Sequence, residues 1–226
     1  MLKAVIFDLD DTLYDYQSLN QSSINALSLF MQERLGIPEN LFYEAFNWAR
    51  KETKIRLGDT AASHNRLLYC QKTLEYLQAP PLGLALDMYE CYWGHFLGNI
   101  CLRDGAEELL RHCKTNHMKV GVCTDLTSHI QHRKIRKLGI ANEINAFVSS
   151  EEVGAEKPAE IMYQAILKKL KATPKEAIFI GDDLEKDVVG PERAGMKAIW
   201  LHAEKSGPYQ TCPSLKEVKG YLNGCR

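Results

Sequence analysis

The feature that most constrains this chain is a series of short, almost unbroken apolar runs separated by helical stretches. They are Lys3-Ala4-Val5-Ile6-Phe7, Lys119-Val120-Gly121-Val122-Cys123, Ala146-Phe147-Val148, Ala177-Ile178-Phe179-Ile180 and Ala198-Ile199-Trp200-Leu201. Strands that alternate apolar and polar residues have one face in water. Near-continuous runs of this kind predict parallel strands covered on both faces. Helical patterns fill the intervals: 106–112, 127–138 closed by Gly139, 158–170 with a stripe of Ile161, Ala165, Ile166 and Leu170, and 187–194 ending at Gly195. Strands alternating with helices predict an α/β fold, a doubly wound parallel sheet.

One segment breaks the rhythm. Between about 16 and 99 no strand is legible, and helical pieces at 17–35, 39–57, 63–78 and 82–97 are punctuated by Gly36-Ile37-Pro38, Gly58-Asp59-Thr60 and Ala79-Pro80-Pro81. This reads as an inserted helical body, leaving 1–15 plus 100–226 as the α/β domain. Trp48, Tyr92, Trp93 and Phe96 read as the core of that bundle. His64 and Arg66 open a helix and read as surface residues, with a placement facing the crevice as the alternative. The tail from Lys205 reads as a loop followed by a short helix from Pro213 with Leu215, Val218 and Leu222 on one face.

Charge narrows the function classes. Lys plus Arg number 28 against 29 Asp plus Glu, and the insert alone holds 7 against 8, so neither offers a basic track for nucleic acid or an anionic membrane. No apolar run approaches the ~20 residues of a membrane span, and Asp8 ends the first one too early for a secretory signal. Seven cysteines, at 70, 91, 101, 113, 123, 212 and 225, include no C-x-x-C pair and read as reduced thiols. A cytoplasmic protein is expected. His112, His117, His129 and His132 match no metal-ligand spacing and read as exposed.

The polar residues that stand out follow strands, and in a parallel sheet the carboxyl ends of the strands line one crevice. Asp8-Leu9-Asp10-Asp11-Thr12 follows the first strand, and Thr124 and Asp125 the second. Glu156-Lys157-Pro158 follows the third, and Gly181-Asp182-Asp183 with Asp187 the fourth. Converging Asp8, Asp10 and Asp182 would repel by about 4 kcal/mol per close pair at an effective dielectric near 20, unless a cation sits among them. Oxygen ligands without nearby His or Cys favour a hard ion such as Mg²⁺. A hydroxyl (Thr124) and an ammonium (Lys157) suit phosphate oxygens, and a carboxylate then becomes a plausible nucleophile.

These residues carry a resemblance. Phe7-Asp8-Leu9-Asp10-Asp11-Thr12-Leu13 matches the D-x-D-x-T-L signature of the haloacid dehalogenase-like (HAD) hydrolase superfamily. Thr124, Lys157 in Glu-Lys-Pro, and Gly181-Asp182-Asp183-Leu184-Glu185-Lys186-Asp187 match its second, third and fourth motifs in order and spacing. The insert resembles the family's helical cap domain, and the core its Rossmann-like sheet. Asp125 stands where many relatives carry Asn, and Pro191 replaces a usual small residue.

The resemblance implies a Mg²⁺-dependent phosphatase acting through an aspartyl phosphate. Asp8 would be the nucleophile and Asp10 the general acid/base. Thr124, Asp125 and Lys157 would hold the phosphoryl group, and the metal would be held by Asp8, Asp10 through its carbonyl, and Asp182. Thr12, Asp183 and Asp187 would support them, although Asp183 reads equally well as a helix N-cap. The partner would be a small-molecule phosphate ester, with no nucleic acid or membrane, and the protein a monomer or homodimer. A phosphomutase shares the motifs. A 2-haloacid dehalogenase lacks the second acid of the first motif, so Asp10 argues against it.

Overall fold

The computed structural model describes residues 2–204 and 207–224. Cys225 and the start of the predicted tail at Lys205 lie outside the described residues. The chain divides into two compact units, Met1–Asp15 with Cys101–Arg226, and Tyr16–Ile100.

The first unit is a six-stranded parallel sheet in the order β3-β2-β1-β4-β5-β6. Its strands are β1 Ala4–Phe7, β2 Lys119–Thr124, β3 Ala146–Ser149, β4 Ala177–Gly181, β5 Lys197–Leu201 and β6 Thr211–Cys212. Strand β1 lies centrally, with Phe7 beside Val122 on one side and Ile180 on the other. All of its residues are buried, which is why it reads as unbroken apolar sequence.

The second unit supplies α1 Tyr16–Leu35, α2 Glu39–Leu57, α3 Arg66–Tyr76 and α4 Pro81–Asn99. Pro81 opens α4 at a position where its missing N–H is not needed. The Asn65 side chain caps α3 by accepting from the Leu67 N–H at 2.9 Å. Phe42, Phe46, Tyr69, Tyr92, Trp93 and Phe96 are buried in this unit. Trp48 is a correction to the predicted core: it is 41% exposed, with its ring against Tyr76 at 5.1 Å.

Back in the first unit, the helices are α5 Ala106–Thr115, α6 Ser128–Leu138, α7 Ser150–Val153, α8 Glu160–Leu170, α9 Gly190–Arg193 and α10 Leu215–Gly224. Helix α8 packs on β2 and β3, and Gly121 shows how tightly: a Cβ there would stand 2.8 Å from Leu170 Cδ1. The buried stripe of α8 is Met162, Tyr163, Ile166, Leu167 and Leu170, whereas Ile161 is 52% exposed, correcting the predicted stripe by one position. Pro158 and Ala159 precede the helix rather than opening it.

The predicted helix over 187–194 is two pieces, a π-helical turn over Leu184–Val189 followed by α9. Strand β6, two residues at the sheet edge beside Trp200 and Leu201, falls where a loop was expected. The described cysteines are free. No helix of the described residues is long and apolar enough to cross a membrane. Where the second unit leaves and rejoins the first, the Arg103 N–H donates to the Leu13 carbonyl at 2.8 Å.

Candidate active site at the strand ends

Strands β1 and β4 are adjacent and parallel, so the loops that follow them emerge side by side. They carry Asp8 and Asp182, which with Asp187 bring carboxylate oxygens within 4.8 Å of one another. Asp187 belongs to the π-helical turn, whose start is fixed by Asp183. The Asp183 carboxylate accepts from the Glu185 and Lys186 N–H groups, both at 3.0 Å, which is an N-cap's task. The Asp183 N–H in turn donates to Asp187 Oδ2 at 3.1 Å.

Lys157 joins the cluster from the other side. Its ammonium donates to Asp8 Oδ1 at 2.7 Å and to Asp187 Oδ1 at 2.6 Å, and its side chain is 2% exposed. Burial pulls such an ammonium down, but Asp187, Asp8 and Asp125 outweigh it and hold Lys157 well above the ordinary lysine value. Burial pushes the Asp8 carboxyl well up; Lys157 opposes this, while Asp187, Asp182 and Asp10 add to it. Asp182 is pushed up to about 6, by burial first and then by Asp187 and Asp11.

Three carboxylates facing one ammonium leave the site short of positive charge. An all-oxygen donor set at this spacing fits one hard divalent ion. Asp8, Asp182 and Asp187 are the side chains that could hold it.

The remaining sequence-picked residues surround this cluster. Thr12 is fully buried and its hydroxyl donates to Asp182 Oδ1 at 3.2 Å. Thr124 ends β2, and its hydroxyl accepts from Gln131 Nε2 at 2.8 Å. The Asp125 carboxylate accepts the Lys157 backbone N–H at 3.0 Å and the Lys186 ammonium at 2.8 Å. Asp10 stands apart from the three-carboxylate cluster. Both of its oxygens accept from the Lys134 ammonium at 2.8 Å, and Oδ1 accepts the Tyr14 hydroxyl at 2.7 Å.

Lys134, Gln131 and Lys186 escaped the sequence reading. Lys134 sits in the basic run His132-Arg133-Lys134-Ile135-Arg136-Lys137, yet it is fully buried. The signal was its register: Ile130, Lys134 and Leu138 repeat every four residues along the buried face of α6. Arg66 is a further correction. Expected at the surface, it is only 7% exposed inside the helical unit.

The family model for haloacid dehalogenase-like hydrolases matches residues 2–195. This chain belongs to that family of hydrolases. It is 36% identical over 202 residues to ribulose-1,5-bisphosphate 5-phosphatase of Halopiger xanaduensis, covering 88% of this chain and 84% of the relative. Identity with glyceraldehyde 3-phosphate phosphatase of Methanothermobacter thermautotrophicus is 27% over 207 residues, covering 90% and 87%. The solved HAD phosphatase of Thermococcus onnurineus superposes with a TM-score of 0.77 at 21% identity, covering 99% of each chain, which establishes the shared fold.

Proposed function

We propose that this hydrolase is a Mg²⁺-dependent phosphatase that releases inorganic phosphate from a small phosphorylated sugar through an aspartyl phosphate on Asp8. The observation that carries the reading is the Lys157 ammonium shared between Asp8 and Asp187, with Asp182 alongside, at the carboxyl ends of adjacent parallel strands. The names of the relatives, phosphatases of ribulose 1,5-bisphosphate and glyceraldehyde 3-phosphate, supply the substrate class.

In this reading an Asp8 oxygen attacks phosphorus, and the bond from phosphorus to the ester oxygen breaks. Asp10 gives a proton to the departing oxygen and then takes one from the water that hydrolyses the acyl phosphate. Lys157, the Thr124 hydroxyl and the Asp125 backbone N–H hold the phosphoryl oxygens, and Lys157 also keeps Asp8 aimed. The Asp183 cap and Thr12 hold Asp187 and Asp182 in place. The ion, held by Asp8 and Asp182 with the Asp10 carbonyl or Asp187, would neutralise charge on the phosphoryl oxygens. In this reading residues 16–100 are the counterpart of the family's helical cap domain.

The test is phosphate release from a panel of three- to five-carbon sugar phosphates with Mg²⁺ and with EDTA, ranked by kcat/KM. Release that needs Mg²⁺ and favours one sugar phosphate supports the reading. Isomerisation without release would make the protein a mutase, and equal turnover in EDTA would remove the metal.

A further inference from the structure

Asp125 after β2 and Glu156 after β3 are largely buried acids outside the three-carboxylate cluster, with side chains 16% and 3% exposed. Asp125 is tied into the loop that a phosphoryl group would approach. Its Oδ1 accepts the Lys157 backbone N–H at 3.0 Å, and the Lys157 ammonium stands 2.7 Å from Asp8 Oδ1. The Gln131 side-chain amide donates to the Asp125 carbonyl at 2.9 Å and to the Thr124 hydroxyl at 2.8 Å. A phosphate monoester brings roughly one and a half to two further negative charges. A carboxylate held beside it repels those charges unless a cation offsets it.

Lys186 is that cation. Its ammonium lies 2.8 Å from Asp125 Oδ2 and 3.7 Å from Glu156 Oε2. Its backbone is pinned on both sides: the N–H donates to Asp183 Oδ1 at 3.0 Å, and the carbonyl accepts the Tyr163 hydroxyl at 2.6 Å. Tyr163 is itself fully buried on α8. The side chain thus starts from a fixed point in the turn after β4 and crosses to the loops after β2 and β3. An exposed ion pair contributes little, but two largely buried carboxylates lose their compensation when such an ammonium is removed.

We propose that Lys186 is a positioning residue for the phosphoryl group. By cancelling the Asp125 charge it lets the loop after β2 receive a phosphate dianion, and by holding Asp125 it keeps the Lys157 backbone in place. The identity of the ligand rests on the phosphatase reading above; the ion pair does not. Lys186 acts through Asp125 and not on the reacting atoms, so its charge matters only while residue 125 is charged.

The test is a double-mutant cycle on wild type, Lys186→Met, Asp125→Asn and the double variant. The Asp125→Asn amide is neutral and its oxygen can still accept the Lys157 N–H. With Mg²⁺ in excess, kcat, KM and the inhibition constant of inorganic phosphate are measured on the sugar phosphate the wild type turns over best. Lys186→Met should raise KM and the phosphate inhibition constant about tenfold, the worth of a charged hydrogen bond, with a smaller change in kcat. In the Asp125→Asn background the same substitution should change both by less than about twofold.

Equal losses in the two backgrounds overturn the proposal, as does a loss confined to kcat or no loss at all. Lys186→Arg keeps the charge and should weaken binding less than Lys186→Met; an equal loss counts against the electrostatic argument. Should Lys186→Met not fold, Lys186→Gln is read the same way. If the wild type releases phosphate from no ester, the phosphatase reading falls, and the cycle is read instead from the rise in melting temperature with inorganic phosphate. A rise that Lys186→Met abolishes only while Asp125 is present upholds the role of Lys186, and no rise in the wild type removes it.

Discussion

The Lys134 ammonium stands 2.8 Å from both carboxylate oxygens of Asp10, and its side chain has no exposed surface. A lysine this deep is normally tied to a carboxylate, and removal of either partner leaves the other uncompensated. Lys134→Met is expected to lower stability by roughly 2–3 kcal/mol, at the modest end because Asp10 is partly solvated. It should also cut kcat by one to two orders of magnitude, on the order of a lost general acid/base. Adding Asp10→Asn should restore stability and leave the activity lost. Urea unfolding and phosphate release on the single and double variants check this, and an unchanged midpoint in Lys134→Met would refute it.

Asp8 and Lys157 should respond in opposite ways. Asp8→Asn removes one of three crowded carboxylates and leaves Lys157 paired with Asp187, so the fold should persist while turnover disappears. Lys157→Met strips the ammonium from two buried carboxylates, with an expected loss of about 3–5 kcal/mol. Calorimetry of both variants separates the two effects.

The Asp182 carboxyl moves from 3.8 to about 6 on folding, raised by burial and by Asp187 and Asp11. Its folded value is the higher one, so between those limits the native state holds more protons than the unfolded state. Stability of the metal-free protein therefore falls as pH rises through this window, by on the order of 3 kcal/mol from this group. A cation relieves that penalty only once the carboxyl is ionised. The rise in melting temperature caused by Mg²⁺ should be small at pH 5 and substantially larger at pH 7.5. A pH-independent shift would contradict this.

A Cβ at Gly181 would stand 2.2 Å from Asp187 Oδ2, closer than any real contact, whereas one at Gly220, inside α10, meets nothing within 4 Å. Gly181→Ala should therefore displace Asp187, costing several kcal/mol and most of the activity. Gly220→Ala should stabilise by about 0.5–1 kcal/mol. Denaturation midpoints of the pair give the contrast directly.

The five apolar runs were legible because strands buried on both faces must be apolar throughout. Strand β6 was not, since two residues held by Trp200 and Leu201 carry no pattern of their own. The carboxylates stood out because they punctuate strand ends. Lys134 was hidden by four basic neighbours, His132, Arg133, Arg136 and Lys137, since composition does not reveal which member of a charged run turns inward. Arg66 and Trp48 were misplaced for a related reason. In a bundle whose helices are apolar on several sides, the sequence leaves the buried side ambiguous, and packing among α2, α3 and α4 settles it. The ion pairs of Lys186 with Asp125 and of Lys157 with Asp187 join residues far apart in sequence, for which a single chain offers no spacing rule.

The hydrogen bond from the Arg103 N–H to the Leu13 carbonyl ties together the two points where the chain departs for 85 residues and returns. Seen from the sheet, everything between Asp15 and Cys101 amounts to one long loop whose ends are already pinned. Loop-closure entropy grows only with the logarithm of length, so replacing those residues with a shorter or longer body would alter the stability of the sheet little. The helical body is thus an exchangeable part. Grafting a relative's insert between the same two points should leave the unfolding midpoint of the sheet little changed, with Asp8, Lys157 and Asp182 still at its strand ends.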